Sequence, residues 1–163
     1  MKENNFSNPQ IISLTMLRVL IGWHFLYEGL IKLFTPGWTS FGYLTNSVGP
    51  VSPILKMLTT NQTVLSIVDY VNMWGLVLIG LSLFIGLFSR YFRIFGIVLI
   101  FLYYIAYPPF AGFSINSPTE GSYWIVNKNL IEMAALFVLY FFPTSHITGL
   151  DLFVKKLISK ENG

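Results

Sequence analysis

Hydrophobic positions fall into four long blocks, at about residues 11–34, 64–88, 92–107 and 123–142, parted by polar or turn-rich stretches. As a helix, the first block of about 24 residues is roughly 36 Å long, against about 30 Å of hydrocarbon in a bilayer. The third is the shortest, and Pro108-Pro109 stops it. Arg90 and Arg93 at its other end lengthen its reach by snorkelling to the head groups. The pattern predicts an all-α integral membrane protein, a four-helix bundle forming a single domain over residues 1–163.

The connections set the orientation. Arg90 and Arg93 surround the tight link at residues 89–91, and Lys155, Lys156 and Lys160 stand in the tail. The positive-inside rule puts this link and both termini in the cytoplasm. Residues 35–63 then form a long outer loop, and residues 108–122 an outer cap. Within the loop, Ser52-Pro53 ahead of Ile54-Leu55-Lys56-Met57-Leu58 predicts a short interfacial helix, with Ser52 as cap and Pro53 as first helical residue. Trp38 anchors the chain nearby. The tail, residues 149–163, sets Leu150, Phe153, Val154, Leu157 and Ile158 opposite its lysines, the pattern of an amphipathic helix on the inner surface. The first block is too long for a signal-peptide core and is expected to be retained.

Composition sharpens this picture. Charged residues make up 10% of the chain and hydrophobic ones 54%, where a soluble domain carries about 25% charged. The net charge of +3 gathers at segment ends. It forms no basic patch on a soluble face, so nucleic acid is not a partner. With no cysteine, thiol–disulfide exchange, iron–sulfur clusters and cysteine-based zinc sites are excluded.

The informative residues are the charges inside the blocks. His24, Glu28 and Lys32 recur every four residues and share one side of a helix. Lys128 and Glu132 make a second such stripe. A charge at mid-bilayer costs on the order of 2.5–3.5 kcal/mol by insertion scales, so these side chains must meet partners on other helices. Counted from the outer ends, Glu28, Lys128, Glu132, Asp69 and Asn72 lie at similar depths, whereas Arg18 belongs to the inner half. The expected arrangement is a polar pocket in the outer half, with Glu28 paired to Lys128 and Glu132 reaching His24 or, from below, Arg18. Glu28, Lys128 and Glu132 are the candidate acid–base residues. Tyr27, Trp38, Tyr103 and Tyr123 supply an aromatic wall around His24, Lys32, Asp69 and Asn72. Arg18 is assigned to a structural ion network. His24 and His146 lie too far apart along the bundle to hold a haem together, and a lone His24 reads as a pocket residue, so no metal is expected. Gly22 and Gly29 on the first span, with Ser82 and Gly86 on the second, mark close helix packing.

At these residues the chain resembles the DoxX family of small four-helix membrane proteins, in the variety found in Bacteroidetes-type bacteria. The matching stretches are GWHFLYEGLIKLFTPGW from Gly22, GYLTNSVGP from Gly42, DYVNMWGLVLIG from Asp69, GLFSRYFRIFGI from Gly86, YYIAYPPFAG from Tyr103, EGSYWIVNKNLIEMAAL from Glu120 and FPTSHITGLD from Phe142. The resemblance implies the inner membrane of a bacterium. It also implies a link to redox systems, since the family is named for the membrane part of a thiosulfate:quinone oxidoreductase. Thiol relay does not carry over to a chain without cysteine, and no flavin or nicotinamide fingerprint is present. A redox role here needs quinone chemistry at the pocket or a partner that holds the cofactor.

Three functions follow as expectations. The first is a quinone-interacting oxidoreductase subunit, because quinone reduction needs an acid–base pair beside an apolar, aromatic slot. The second is a non-catalytic membrane partner or assembly subunit of an envelope protein complex, and on any reading a protein partner or a homo-oligomer is expected. The third is binding or transport of a small solute or lipid, for which four spans without an inverted repeat are a poor frame.

Overall fold

A computed structural model describes residues 6–109 and 122–152. The chain is mostly helical. Among the described residues, three helices are long and apolar enough to cross a membrane: α1 (Asn8–Phe34), α4 (Gln62–Ile85) and α5 (Ser89–Ala106). Between α1 and α4 lie the short α2 (Phe41–Thr45) and α3 (Ser52–Leu58). After α5 come a two-stranded antiparallel hairpin, β1 (Ser122–Tyr123) and β2 (Val126–Asn127), then α6 (Lys128–Phe141) and α7 (Ser145–Thr148).

Local chemistry sets the helix ends. At α1, the Ser7 amide donates to Gln10 Oε1 at 2.9 Å, and Pro9 occupies the first turn, where its missing N–H costs nothing. At α4, the Asn61 carboxamide oxygen accepts from the amides of Thr63 and Val64 at 2.8 and 3.3 Å. That helix ends on Gly86, in the left-handed region at φ 71°, a conformation only glycine takes without strain. The reversal is complete within three residues, so Ser89 and Arg90 already belong to α5 rather than to a link.

The fourth apolar block differs most from its expected bounds. Its helix has 14 residues, not the whole of 123–142, and is only about 21 Å long. Hydropathy counts Tyr123 to Val126 as span, but Asn127 caps the helix by accepting from the Leu130 amide at 3.0 Å, and the residues before it turn back as the hairpin. The short loop helix is present, one residue displaced: Ser52 is its first residue, with its hydroxyl donated to the Ser47 carbonyl at 2.7 Å. The outer cap from residue 110 to 121 and the amphipathic tail from 153 onward lie outside the described residues.

Four helices, α1, α4, α5 and α6, surround one core built on Ile21, Phe25, Leu76, Ile79, Leu83, Ile100, Leu136 and Leu139. The α1–α4 contact is the closest. A Cβ on Gly22 would lie 2.6 Å from the Phe84 amide nitrogen, one on Gly29 2.8 Å from Val77, and one on Gly80 would overlap the Leu26 backbone. Gly22 and Gly29 therefore act as read from the sequence. Gly80 completes the seam, while Gly86 serves the turn.

The end of the bundle near the α4–α5 turn is held by buried arginines. Arg18 is 2% exposed and donates to the Leu83 carbonyl at 3.1 Å and to Thr148 Oγ1 at 3.5 Å. Arg93 does not snorkel. It is 1% exposed and its guanidinium donates to the Ser89 carbonyl at 2.8 Å, to Ser89 Oγ at 3.0 Å and to the Leu139 carbonyl. Its position faces the core between α5 and α6, and a guanidinium with five donors can stay there by satisfying carbonyls. Past α7, the Leu150 and Asp151 amides donate to the Ile85 and Gly86 carbonyls at 3.1 and 3.0 Å, and the Asp151 carboxylate accepts from the Phe88 amide at 2.8 Å.

Candidate functional site

At the opposite end, the four helices part around a cavity of about 350 Å³. The helical period of α1 delivers His24, Glu28 and Lys32 to it on successive turns. From α6 come Lys128, Asn129 and Glu132, from α4 Asn72 and Leu76, and from α5 Ile100 and Tyr103.

The charges pair differently from the expected scheme. His24 Nδ1 and Glu132 Oε1 are 2.6 Å apart, joining α1 to α6. This takes the first of the two partners foreseen for Glu132. Arg18 is far down the bundle, bonded to the Leu83 carbonyl and the Thr148 hydroxyl. Glu28 does not pair with Lys128: among the described residues its ion pair is with Lys32, Nζ to Oε2 3.4 Å. The i,i+4 neighbour is on the same helix face and needs no help from another helix, so it wins. Lys32 Nζ also stands 5.7 Å from the centre of the Trp38 ring and 6.0 Å from that of Tyr103, distances at which aromatic faces attract a cation. Lys128 lines the cavity from the first turn of α6 and is exposed.

Beside these pairs is a neutral polar group. Asn72 Nδ2 donates to the Tyr103 hydroxyl at 2.6 Å, while Asn72 Oδ1 is buried without a partner. A buried acceptor left unsatisfied is costly, and in a cavity wall it is a place for a ligand donor. Phe25, Leu76 and Ile100 give the cavity an apolar lining below the charges.

The outer wall comes from the loop. Trp38, Thr39, Ser40 and Tyr43 line the cavity, held there by Asp69. The buried Asp69 carboxylate accepts from the Ser40 amide at 2.8 Å and from the Ser40 hydroxyl. Tyr107 donates its hydroxyl to the Tyr43 carbonyl at 2.7 Å, and the Val48 and Gly49 amides donate to the Ala106 carbonyl at 3.2 and 3.0 Å. Desolvation, with Tyr103 and Tyr107 close by, pushes the Tyr43 phenol above its ordinary pKa, so it is a neutral donor. Its hydroxyl lies 3.4 Å from the Tyr103 carbonyl.

Eight of the residues singled out from the sequence converge on this cavity: His24, Glu28, Lys32, Trp38, Asn72, Tyr103, Lys128 and Glu132. Two others stand apart from it. Tyr27 is exposed on the outside of α1, its ring 6.2 Å from that of Trp23, because residue 27 is turned roughly 100° round the helix from Glu28. Asp69 lies behind the wall as the anchor of Ser40. The side chain of Tyr123 is outside the described structure. Thr39, Ser40, Tyr43 and Asn129 were missed. Asn129 adjoins Lys128 and could have been read with it, but nothing in the sequence shows that the loop folds back over the pocket. Among the described residues no three His, Asp or Glu side chains converge as a metal site would require.

No protein-family model, curated protein or solved structure matches the chain, so the role of this cavity has to be argued from its chemistry.

Proposed function

We propose that this chain is a multi-pass protein of a bacterial cytoplasmic membrane, of the DoxX type, in which α1, α4, α5 and α6 form a four-helix membrane bundle. Both termini are cytoplasmic, and the cavity in the outer half receives the ring of a quinone for a membrane-bound oxidoreductase system. The observation that carries this reading is one cavity holding the His24–Glu132 pair, the unpartnered Asn72 oxygen and an aromatic wall over an apolar floor.

The residues fit the ring in three ways. With Nδ1 of His24 engaged by Glu132, Nε2 is the ring nitrogen left to meet a ligand oxygen, and the carboxylate sets the orientation of the ring. Lys32, held between Trp38 and Tyr103, presents a second donor. A volume of about 350 Å³ lies at the small end of the range for ligand pockets, roughly 300–1,000 Å³, and so suits a single ring. A quinone supplies reversible two-electron, two-proton carriage. As an imidazolium held by Glu132, His24 would give its Nε2 proton to a bound oxygen and return to the neutral imidazole. Electrons reach the ring from a partner protein, since the chain has neither cysteine nor a nucleotide-binding fingerprint.

The test is solvent extraction of protein purified in mild detergent, followed by titration with a tailed quinone. Wild type is expected to carry quinone in near-stoichiometric amount. His24→Ala and Glu132→Gln should each retain it roughly tenfold less tightly, the scale of one charge-assisted hydrogen bond. A wild-type protein that neither carries nor takes up quinone would sink the proposal. The second reading, a non-catalytic partner subunit, draws support from the internal neutralisation of Glu28 by Lys32. It predicts a stoichiometric protein partner whose capture is indifferent to both substitutions.

A further inference from the structure

The cavity is enclosed on most sides. Its floor is Phe25, Leu76 and Ile100, backed by the buried core that includes Ile21, Leu136 and Leu139. Its roof is the loop held down by Asp69 on Ser40. The glycine seam brings α1 against α4 too closely to leave a gap, and α5 packs along both α4 and α6. The seam between α1 and α6 differs, for these two helices touch sparsely.

Along that seam, the side chains of His24 and Glu28 remain 42% and 43% exposed, although the helix period turns both toward α6. Lys128 is exposed on the facing flank of α6. The rim on either side is apolar and exposed: Leu20 and Ile31 on α1, Ile131 on α6. Ionisable groups at membrane depth are not left against acyl chains, which offer no hydrogen-bonding partner. A gap with polar walls and apolar lips matches a molecule with a compact polar head and an apolar tail.

We propose that the α1–α6 seam is a lateral portal, through which such an amphiphile enters from the leaflet on the loop's side, its head reaching His24 and Glu28 and its tail lying between Ile31 and Ile131. This rests on the reading of the cavity as a quinone site, to which it adds the tail and the route. The tail is recognised by the gap itself, so a ring without one binds through the cavity alone.

The experiment uses the full chain in lipid nanodiscs and compares Ile131→Trp with Phe137→Trp, a substitution about 120° round α6 at a side chain that is also exposed, 43% against 58%. Both are checked by thermal melting. Ile131→Trp should weaken binding of an isoprenoid-tailed quinone about tenfold, because indole and tail compete for one gap, and leave a tail-less quinone of the same ring unchanged. Phe137→Trp should alter neither. Equal binding of the tailed quinone to both variants would overturn the portal while leaving the quinone reading intact. If wild type binds neither quinone, the quinone reading fails, and a second measurement decides the portal by itself. A phospholipid with a diazirine near the head-group end of its acyl chain, photolysed in wild-type nanodiscs, should form adducts on Glu28. Adducts on Trp23 and Tyr27 but none on Glu28 or His24 would overturn it, whatever the ligand and whether or not Ile131→Trp folds.

Discussion

At the scale of single residues, two ion pairs hold the charges of the apolar helices, one local and one across helices, and the two kinds respond differently to substitution. His24–Glu132 crosses from α1 to α6, with the carboxylate 10% exposed. His24→Ala strands that carboxylate, and Glu132→Leu removes the acceptor from the imidazole. Each single change should lower stability in detergent, and the double change should recover part of the loss, with a coupling of about 1–3 kcal/mol. Glu28 and Lys128 form no ion pair, so Glu28→Gln with Lys128→Met should be additive within about 0.5 kcal/mol. Thermal melts of the two cycles, run side by side, check both. A strong coupling at 28–128 and none at 24–132 would mean that the pairing is the reverse of the one described. Arg93 follows a third pattern, since its partners are carbonyls and a hydroxyl rather than a carboxylate.

Among the elements, the α1–α4 contact depends on the absence of three side chains, and glycines in one helix provide an internal control. A Cβ at Gly80 would collide with the Leu26 backbone, whereas one at Gly75 meets nothing within 4 Å. Both sit in α4, so their effects on helix propensity are alike. Gly80→Ala should cost about 1–3 kcal/mol, the usual penalty for overpacking. Gly75→Ala should stay within about 0.5 kcal/mol of wild type or improve on it. Melting temperatures in one detergent compare the two. The loop between α1 and α4 is an element of another sort. It owes its place to Asp69 and to the carbonyl of Ala106, and through that placement a stretch without regular apolar spacing becomes the wall of the cavity.

For the whole molecule, the proposed orientation makes a direct prediction, and the absence of native cysteine gives introduced thiols no background. Thr60 lies exposed on the loop side and Arg90 exposed at the opposite end. Thr60→Cys should react with an impermeant maleimide in intact cells, and Arg90→Cys only after the membrane is opened. The reverse pattern would turn the cavity to the cytoplasm. Ser47 belongs to the same loop but is 0% exposed and donates to the Leu44 carbonyl at 2.7 Å, so a cysteine there would stay unlabelled on either orientation. The short α6 also has a consequence at this scale. At 14 residues it is well below the roughly 20 needed to span, and the hairpin before it, tied to α5 by the Tyr104 hydroxyl on the Ile125 carbonyl at 2.9 Å, continues the chain past its end.

Within each helix, sequence alone determined a good deal. The apolar blocks locate α1, α4 and α5, because length and hydropathy are properties of a stretch and need no neighbour. The period of 3.6 put His24, Glu28 and Lys32 on one face, and counting residues set most of the polar groups at one depth, so the cavity's main lining was legible. What sequence could not determine is how far each helix is rotated and which group on the next helix comes within reach. That is decided by the glycine seam, by the core around Phe25 and Leu136, and by the left-handed turn at Gly86, none of which hydropathy encodes. Only the tertiary structure therefore kept Lys128 from Glu28, gave Glu132 to His24, set Arg93 among carbonyls and folded Ser40 onto Asp69. Intrahelical neighbours follow from the chain's own geometry, whereas interhelical partners depend on where the rest of the chain packs.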